Sequence, residues 1–186
     1  MVPAADRGSR EEDVMIARIS LAALVAVAVT APVVAQDAGS RQTREYIQAA
    51  GESDTFEMME AYSALAESKD PQVSAFAREM IRDHGETSRK LREAAVSAGL
   101  APPPMAVGAG QSPFLASLQS ARGREFDKTF WEQQALAHRS ALTVTQRYAA
   151  SGDTAAIRQA AAAAMPIIRK HLAMAEQMRA KVANGS

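Results

Sequence analysis

Along most of the chain, apolar residues recur three and four positions apart. They do not alternate as they would in half-buried strands, so the pattern predicts an all-α domain. From about Ser40 to Ser68, projection at about 100° per residue puts Ile47, Ala50, Asp54, Glu57, Met58, Ala61 and Leu65 on one face. Two acids therefore sit inside an apolar stripe. Asp70-Pro71 then offers an N-cap and an N1 proline, and a link this short makes the next helix an antiparallel neighbour. That second helix carries Val73, Phe76, Ala77, Met80, His84, Leu91, Ala95 and Ala98 on its stripe and stops at Gly99. Gly85 lies mid-helix, where a close helix contact would explain it.

A Pro/Gly-rich connection, LAPPPMAVGAGQSP at residues 100–113, cannot be helical. Together with a short helical turn at Phe114 to Ala121, it is long enough to cross the length of a bundle, so two topologies are open: up-down-up-down or a crossover. The third helix, about Arg124 to Ala150, has the stripe Asp127, Phe130, Trp131, Gln134, His138, Ala141, Leu142, Thr145 and Tyr148. Ser151-Gly152-Asp153 ends it. The fourth then buries Ile157, Ala160, Ala161, Ala164, Ile168, His171, Leu172, Ala175, Met178 and Val182. Pro166 interrupts that helix and should bend it about one turn before His171. The prediction is a four-helix bundle over residues 40–183.

The first 35 residues read differently. From Met15, a candidate start, Arg18 precedes an apolar run from Ile19 to Val29. Ala31-Pro32 breaks it, and Val33-Val34-Ala35 presents small residues for cleavage. This is the layout of a secretory signal peptide, since the run is about half the ~20 residues a membrane span needs. The mature chain would have no second span and would reside in the periplasm or be secreted. Its removal takes away three basic and four acidic residues, leaving a net charge near +1. The whole chain of 186 residues has net charge +0, so no global field draws nucleic acid. It has no cysteine, which excludes disulfides, thiol catalysis and cysteine–metal sites.

The chain has three histidines, His84, His138 and His171, each on the apolar stripe of a different helix. Counting from the turns at 1.5 Å per residue places His84 and His138 within about a turn of the level of Glu57; His171 joins that level in the crossover topology and drifts somewhat, though still near the middle, in the alternating one. Asp54 is one turn away on the same face, whereas Asp127 is about 16 Å along the axis from His138. Buried imidazoles and carboxylates must be paired or ligating. Two readings are open. In one, Glu57, His84, His138 and His171, with Asp54 as a further candidate, bind one transition metal: zinc, copper, nickel or iron. In the other, the same residues form a hydrogen-bonded network that fixes helix register. Asp83 and Gln134 are candidate orienting partners. Methionines 58, 80 and 165 read as ordinary core packing.

The segments DTFEMMEAYSALAESKDPQVSAFAREMIRDH, EFDKTFWEQQALAHRSAL and AMPIIRKHLAMAEQM resemble the family named domain of unknown function 4142, over about residues 42 to 180. The resemblance implies a bacterial exported protein with a ferritin-like four-helix bundle. Members are often labelled "predicted outer membrane protein", although no alternating ten-residue strands support a barrel here. It also implies shared polar positions at Glu57, Asp83, His84, Asp127, His138 and His171. The di-iron pattern of ferritin-like enzymes needs Glu-x-x-His twice, whereas Ile81 and Ile168 stand three residues before His84 and His171. No phosphate loop, nucleophile elbow or zinc-protease motif is present, and no catalytic residue is predicted. The functional expectation is an exported metal-binding bundle. The alternative is a non-enzymatic envelope or stress-related interaction module whose buried Glu/His network is structural.

Overall fold

The computed structural model describes residues 39–184, so the signal segment predicted for residues 1–35 lies outside the described residues. Among those described there are five α-helices and no strand: α1 (Arg41–Glu67), α2 (Pro71–Ser97), α3 (Ser112–Ser120), α4 (Gly123–Ser151) and α5 (Ala155–Ala183). No helix among them is long and apolar enough to cross a membrane.

Local chemistry sets the helix ends. Ser40 Oγ accepts from the Thr43 amide at 3.0 Å, and Asp70 Oδ1 accepts from the Gln72 amide at 2.7 Å with Pro71 at the first helical position. At the far end of α2, Gly99 takes φ 71° and the Leu100 amide returns to the Ala95 carbonyl at 2.9 Å. A side chain at that φ would be strained, which is why glycine terminates this helix.

The long helices pair through contacts at both ends. The buried Thr43 hydroxyl, at the start of α1, meets Tyr148 Oη at 2.6 Å and Thr154 Oγ1 at 2.9 Å, and also bonds Asp153. Past the other end of α1, Ser68 Oγ donates to Asp127 Oδ1 at 2.5 Å. α1 therefore runs antiparallel to α4 as well as to α2. Phe76 shares an apolar cluster with Met178, and Leu91 shares another with Ile157, so α2 and α5 are antiparallel too. It follows that α2 and α4 run in the same direction. The Pro/Gly-rich connection must travel the length of the helices, and α3 within it packs on α1 and α4. Gln133 Nε2 donates to the Phe114 carbonyl at 3.1 Å, and Leu118 is fully buried.

The core is in two parts. Phe76, Met80, Phe126, Phe130, Trp131, Ala175 and Met178 belong to one cluster; Tyr46, Ile47, Leu91, Tyr148, Ile157 and Ala161 belong to the other. On every long helix, the buried glutamate or histidine falls between the residues that enter these two clusters.

Three expectations need correction. On α1 the buried face includes Phe56, Glu60 and Ala64, while Leu65 is exposed and Met58 only half-buried. The face is rotated because Glu60, an acid expected in water, points inward. Gly85 has no close neighbour: a Cβ there would meet nothing within 4 Å. The close approach is at Gly51, where a Cβ would lie 2.7 Å from Pro103 Cβ and 2.9 Å from the Pro104 carbonyl. Helix α5 runs unbroken through Pro166.

These two glycines should respond in opposite directions. Gly85→Ala should stabilise the fold by about 1 kcal/mol through helix propensity. Gly51→Ala should destabilise it by about 1–3 kcal/mol through overpacking against the connection. Urea unfolding of the two variants beside the parent measures both.

Candidate metal centre

The four central positions meet because each lies near the midpoint of its helix and the four long helices lie side by side. Glu57, His84, His138 and His171 are all buried, at 0–2% exposure. The three imidazoles form a nearly equilateral group, with ring centroids 5.2–5.4 Å apart. His84 Nε2 lies 3.2 Å from His171 Nδ1 and 3.4 Å from His138 Nε2.

The outward nitrogens determine what those inward contacts are. His138 Nδ1 is 2.8 Å from the Gln134 carbonyl, which can only accept, so the proton of neutral His138 sits on Nδ1. His171 Nε2 is 3.0 Å from Asp83 Oδ2, and His84 Nδ1 is 2.8 Å from Asp54 Oδ1; both are donations to carboxylates. Each outward N–H is thus committed to an acceptor. Three lone pairs are left pointing at one another across the centre. One proton on His84 can relieve one contact at a time. A cation satisfies all three. The spacings of 3.2 and 3.4 Å also approach the ~3.4 Å between two nitrogens on a tetrahedral ion with bonds of about 2.0–2.1 Å.

Without a metal, electrostatics divide the protons in the same way. Burial disfavours charge on His84, but the Glu57 and Asp54 carboxylates outweigh it and raise its pKa to about 9. Burial and then the neighbouring His84 charge hold His171 down to about 4, against the pull of Asp83, and hold His138 well below the usual imidazole range. Burial lifts Glu57 to about 7, with His84 opposing. Charge is therefore disfavoured on His138 and His171 and favoured on His84.

Glu57 and Asp54 lie on the other side of His84 from the converging nitrogens. Glu57 Oε2 is 3.1 Å from His84 Nδ1, and Oε1 is 3.8 Å from His138 Nδ1. Glu57 therefore groups with Asp54 and His84, whereas the three histidines make a group of their own. Asp54 also accepts from Ser88 Oγ at 2.6 Å and Thr87 Oγ1 at 3.2 Å. Asp83 does not serve its chain neighbour His84; it reaches across to His171 from α2. Asp127 is remote, bonded to Ser68. Met80 is part of the apolar core.

Glu60 is the residue that the hydrophobic pattern did not reveal. It is fully buried one turn beyond Glu57, and its Oε2 accepts from Gln134 Nε2 at 2.7 Å. The available signal was Gln134, whose side chain needed a partner on the facing stripe. Glu60 Oε1 and Gln134 Oε1 are both buried without a donor. A protonated Glu60 supplies the missing hydrogen, and burial raises its pKa well above the usual carboxylate value.

A helical domain with a buried imidazole–carboxylate layer is thus the class of protein defined by fold and site. The chain belongs to the family described as Domain of unknown function (DUF4142), whose family model matches residues 28–178. No curated protein and no solved structure matches it significantly.

The raised pKa of Glu60 has a signed consequence. The unfolded chain loses this proton first, so stability falls as pH rises from the unfolded value of about 4.5 towards the higher folded one. Glu60→Gln keeps the donor at every pH. It should flatten that fall and raise stability at pH 7, measured by denaturant unfolding from pH 5 to pH 8.

Proposed function

We propose that this chain is an exported protein with a ferritin-like four-helix bundle, and that its core binds one transition-metal ion. His84 Nε2, His138 Nε2 and His171 Nδ1 are the ligands in this reading. Glu57, expected from the sequence as a fourth ligand, stands behind His84 with Asp54 and shares its Nδ1 side. The fourth coordination position is then open to water or to a small exogenous ligand, the arrangement that distinguishes reactive from purely structural sites.

The observation that carries the proposal is the set of three lone pairs turned towards one point while every outward N–H is held by Asp54, Asp83 or the Gln134 carbonyl. Such outer partners fix ring orientation and tautomer at metal-binding histidines. Three imidazoles suit zinc, copper, nickel or iron rather than calcium or magnesium. The bundle reading is supported by the antiparallel pairing of α1 with α2 and α4 with α5, and by the long connection that makes α2 and α4 parallel. With Ile81 and Ile168 at the positions where di-iron enzymes place glutamate, oxygen chemistry of that type is not part of the proposal. Export rests on the signal-like segment at residues 15–35.

One observation favours the second reading, a structural network in an interaction module. His84 Nε2 already lies within hydrogen-bond reach of both other rings. The two readings differ in metal content. Untagged protein produced with metal supplementation should contain about one transition-metal ion per chain by elemental analysis. His84→Ala should lose it, and Asp83→Asn should weaken metal binding about 10–100-fold. Absence of metal in the parent under every supplementation selects the structural network. For export, the N-terminus of chain recovered from the periplasm should begin at Gln36, as read by mass spectrometry.

A further inference from the structure

Helix α4 leaves one stripe uncovered among the described residues. Glu132, Leu136, Ser140, Val144 and Arg147 are all exposed and recur three or four positions apart, so they share the outward side of the helix. Leu136 keeps 53% of its surface in solvent and Val144 40%. Among the described residues, the side chains of Glu132 and Arg147 have no ion-pair partner. Arg139, at the edge of the stripe, is already held by Glu176 of α5.

The order along the stripe is acid, apolar, small, apolar, base. Reversed about Ser140, it meets its own complement: Leu136 falls opposite Val144, and Glu132 falls opposite Arg147. Within one chain those two charges are about 22 Å apart along the axis, at 1.5 Å per residue, and cannot pair. The relief beside the stripe is reversed in the same way. At the Leu136 end, Phe114 of α3 is 45% exposed, and its carbonyl is tied to Gln133. At the Val144 end lies a groove of about 280 Å³ lined by Tyr46, Ala49, Val144, Arg147 and Tyr148. Phe114 and the groove are both on the α1 side of α4, where Phe56 neighbours the first and Ala49 lines the second.

We propose that a second copy of this chain docks on this stripe, α4 antiparallel to α4, about a twofold axis at Ser140. Such an axis keeps the α1 sides of the two copies together and exchanges the ends of the stripe. Each Phe114 then enters the partner's groove, whose volume exceeds the roughly 150 Å³ that holds a benzene ring. Each Glu132 pairs with the partner's Arg147, so the charges left open in one copy are matched by the other. Ser140, on the axis, is small enough for the two helices to approach closely. The Arg139 side chains flank the axis, each already neutralised by Glu176 of its own chain. This interface depends on neither the metal nor the export reading.

Sedimentation velocity of the purified chain over a concentration series tests it. A monomer–dimer equilibrium with a Kd on the order of micromolar is expected, the weak end for a protein interface. Ser140→Arg sets two charges against each other at the axis and should weaken association about tenfold or more. Its helical circular dichroism and thermal midpoint should stay those of the parent, because position 140 is exposed. Glu132→Arg and Arg147→Glu, each alone, put like charges face to face and should weaken association several-fold at low salt. The double swap, Glu132→Arg with Arg147→Glu, should restore it. A monomer at every concentration, a dimer untouched by Ser140→Arg, or a double swap no stronger than either single variant overturns the proposal.

Discussion

A layer of polar side chains across the middle of an apolar core constrains everything else in this fold. Glu57, His84, His138 and His171 are as buried as the aromatic residues on either side. An unmatched polar atom at that depth costs about 1–3 kcal/mol, so each helix must deliver its residue at the right height and turn it towards a partner. The domain meets this requirement from outside inwards. Asp54, Asp83 and the Gln134 carbonyl hold the outer edges of the rings, and the inner edges are left facing one another.

The framework serves that layer. Small residues on the stripes, among them Ala61, Ala77, Ala135 and Ala175, are fully or almost fully buried and let the helices approach closely enough for three imidazoles to touch. The polar ties at the ends of α1, Thr43 at one and Ser68 at the other, fix its height against α4. The connection between α2 and α4 packs into the notch that Gly51 leaves, so the segment with the least regular structure still helps to position α1.

Much of this was legible in the sequence. Asp70-Pro71 and Gly99 mark real helix ends because capping and left-handed termination are local chemistry. The three histidines met because each stands near the midpoint of its helix and the crossover connection brings His171 to the level of the other two. What stayed hidden depends on tertiary contact. Glu60 is buried only because Gln134 faces it, and a charged residue at that position reads as solvent-facing. Gly85 and Gly51 look equivalent in a helical pattern; which of them has a neighbour is decided by where residues 103 and 104 pass. The separate sides of His84 occupied by Glu57 and by the other histidines follow from ring orientation, which residue spacing does not encode.

The way the layer is divided along the chain also governs when it can exist. The hairpin of α1 and α2 brings Asp54, Glu57 and His84; that of α4 and α5 brings His138 and His171. Neither hairpin alone holds the trio, and the contacts between them are the long-range ones that chains make late, after local pairs have formed. The centre is thus assembled by docking and has no counterpart in the unfolded polypeptide. Any ion it takes must be chosen from whatever surroundings the chain occupies when its two halves close.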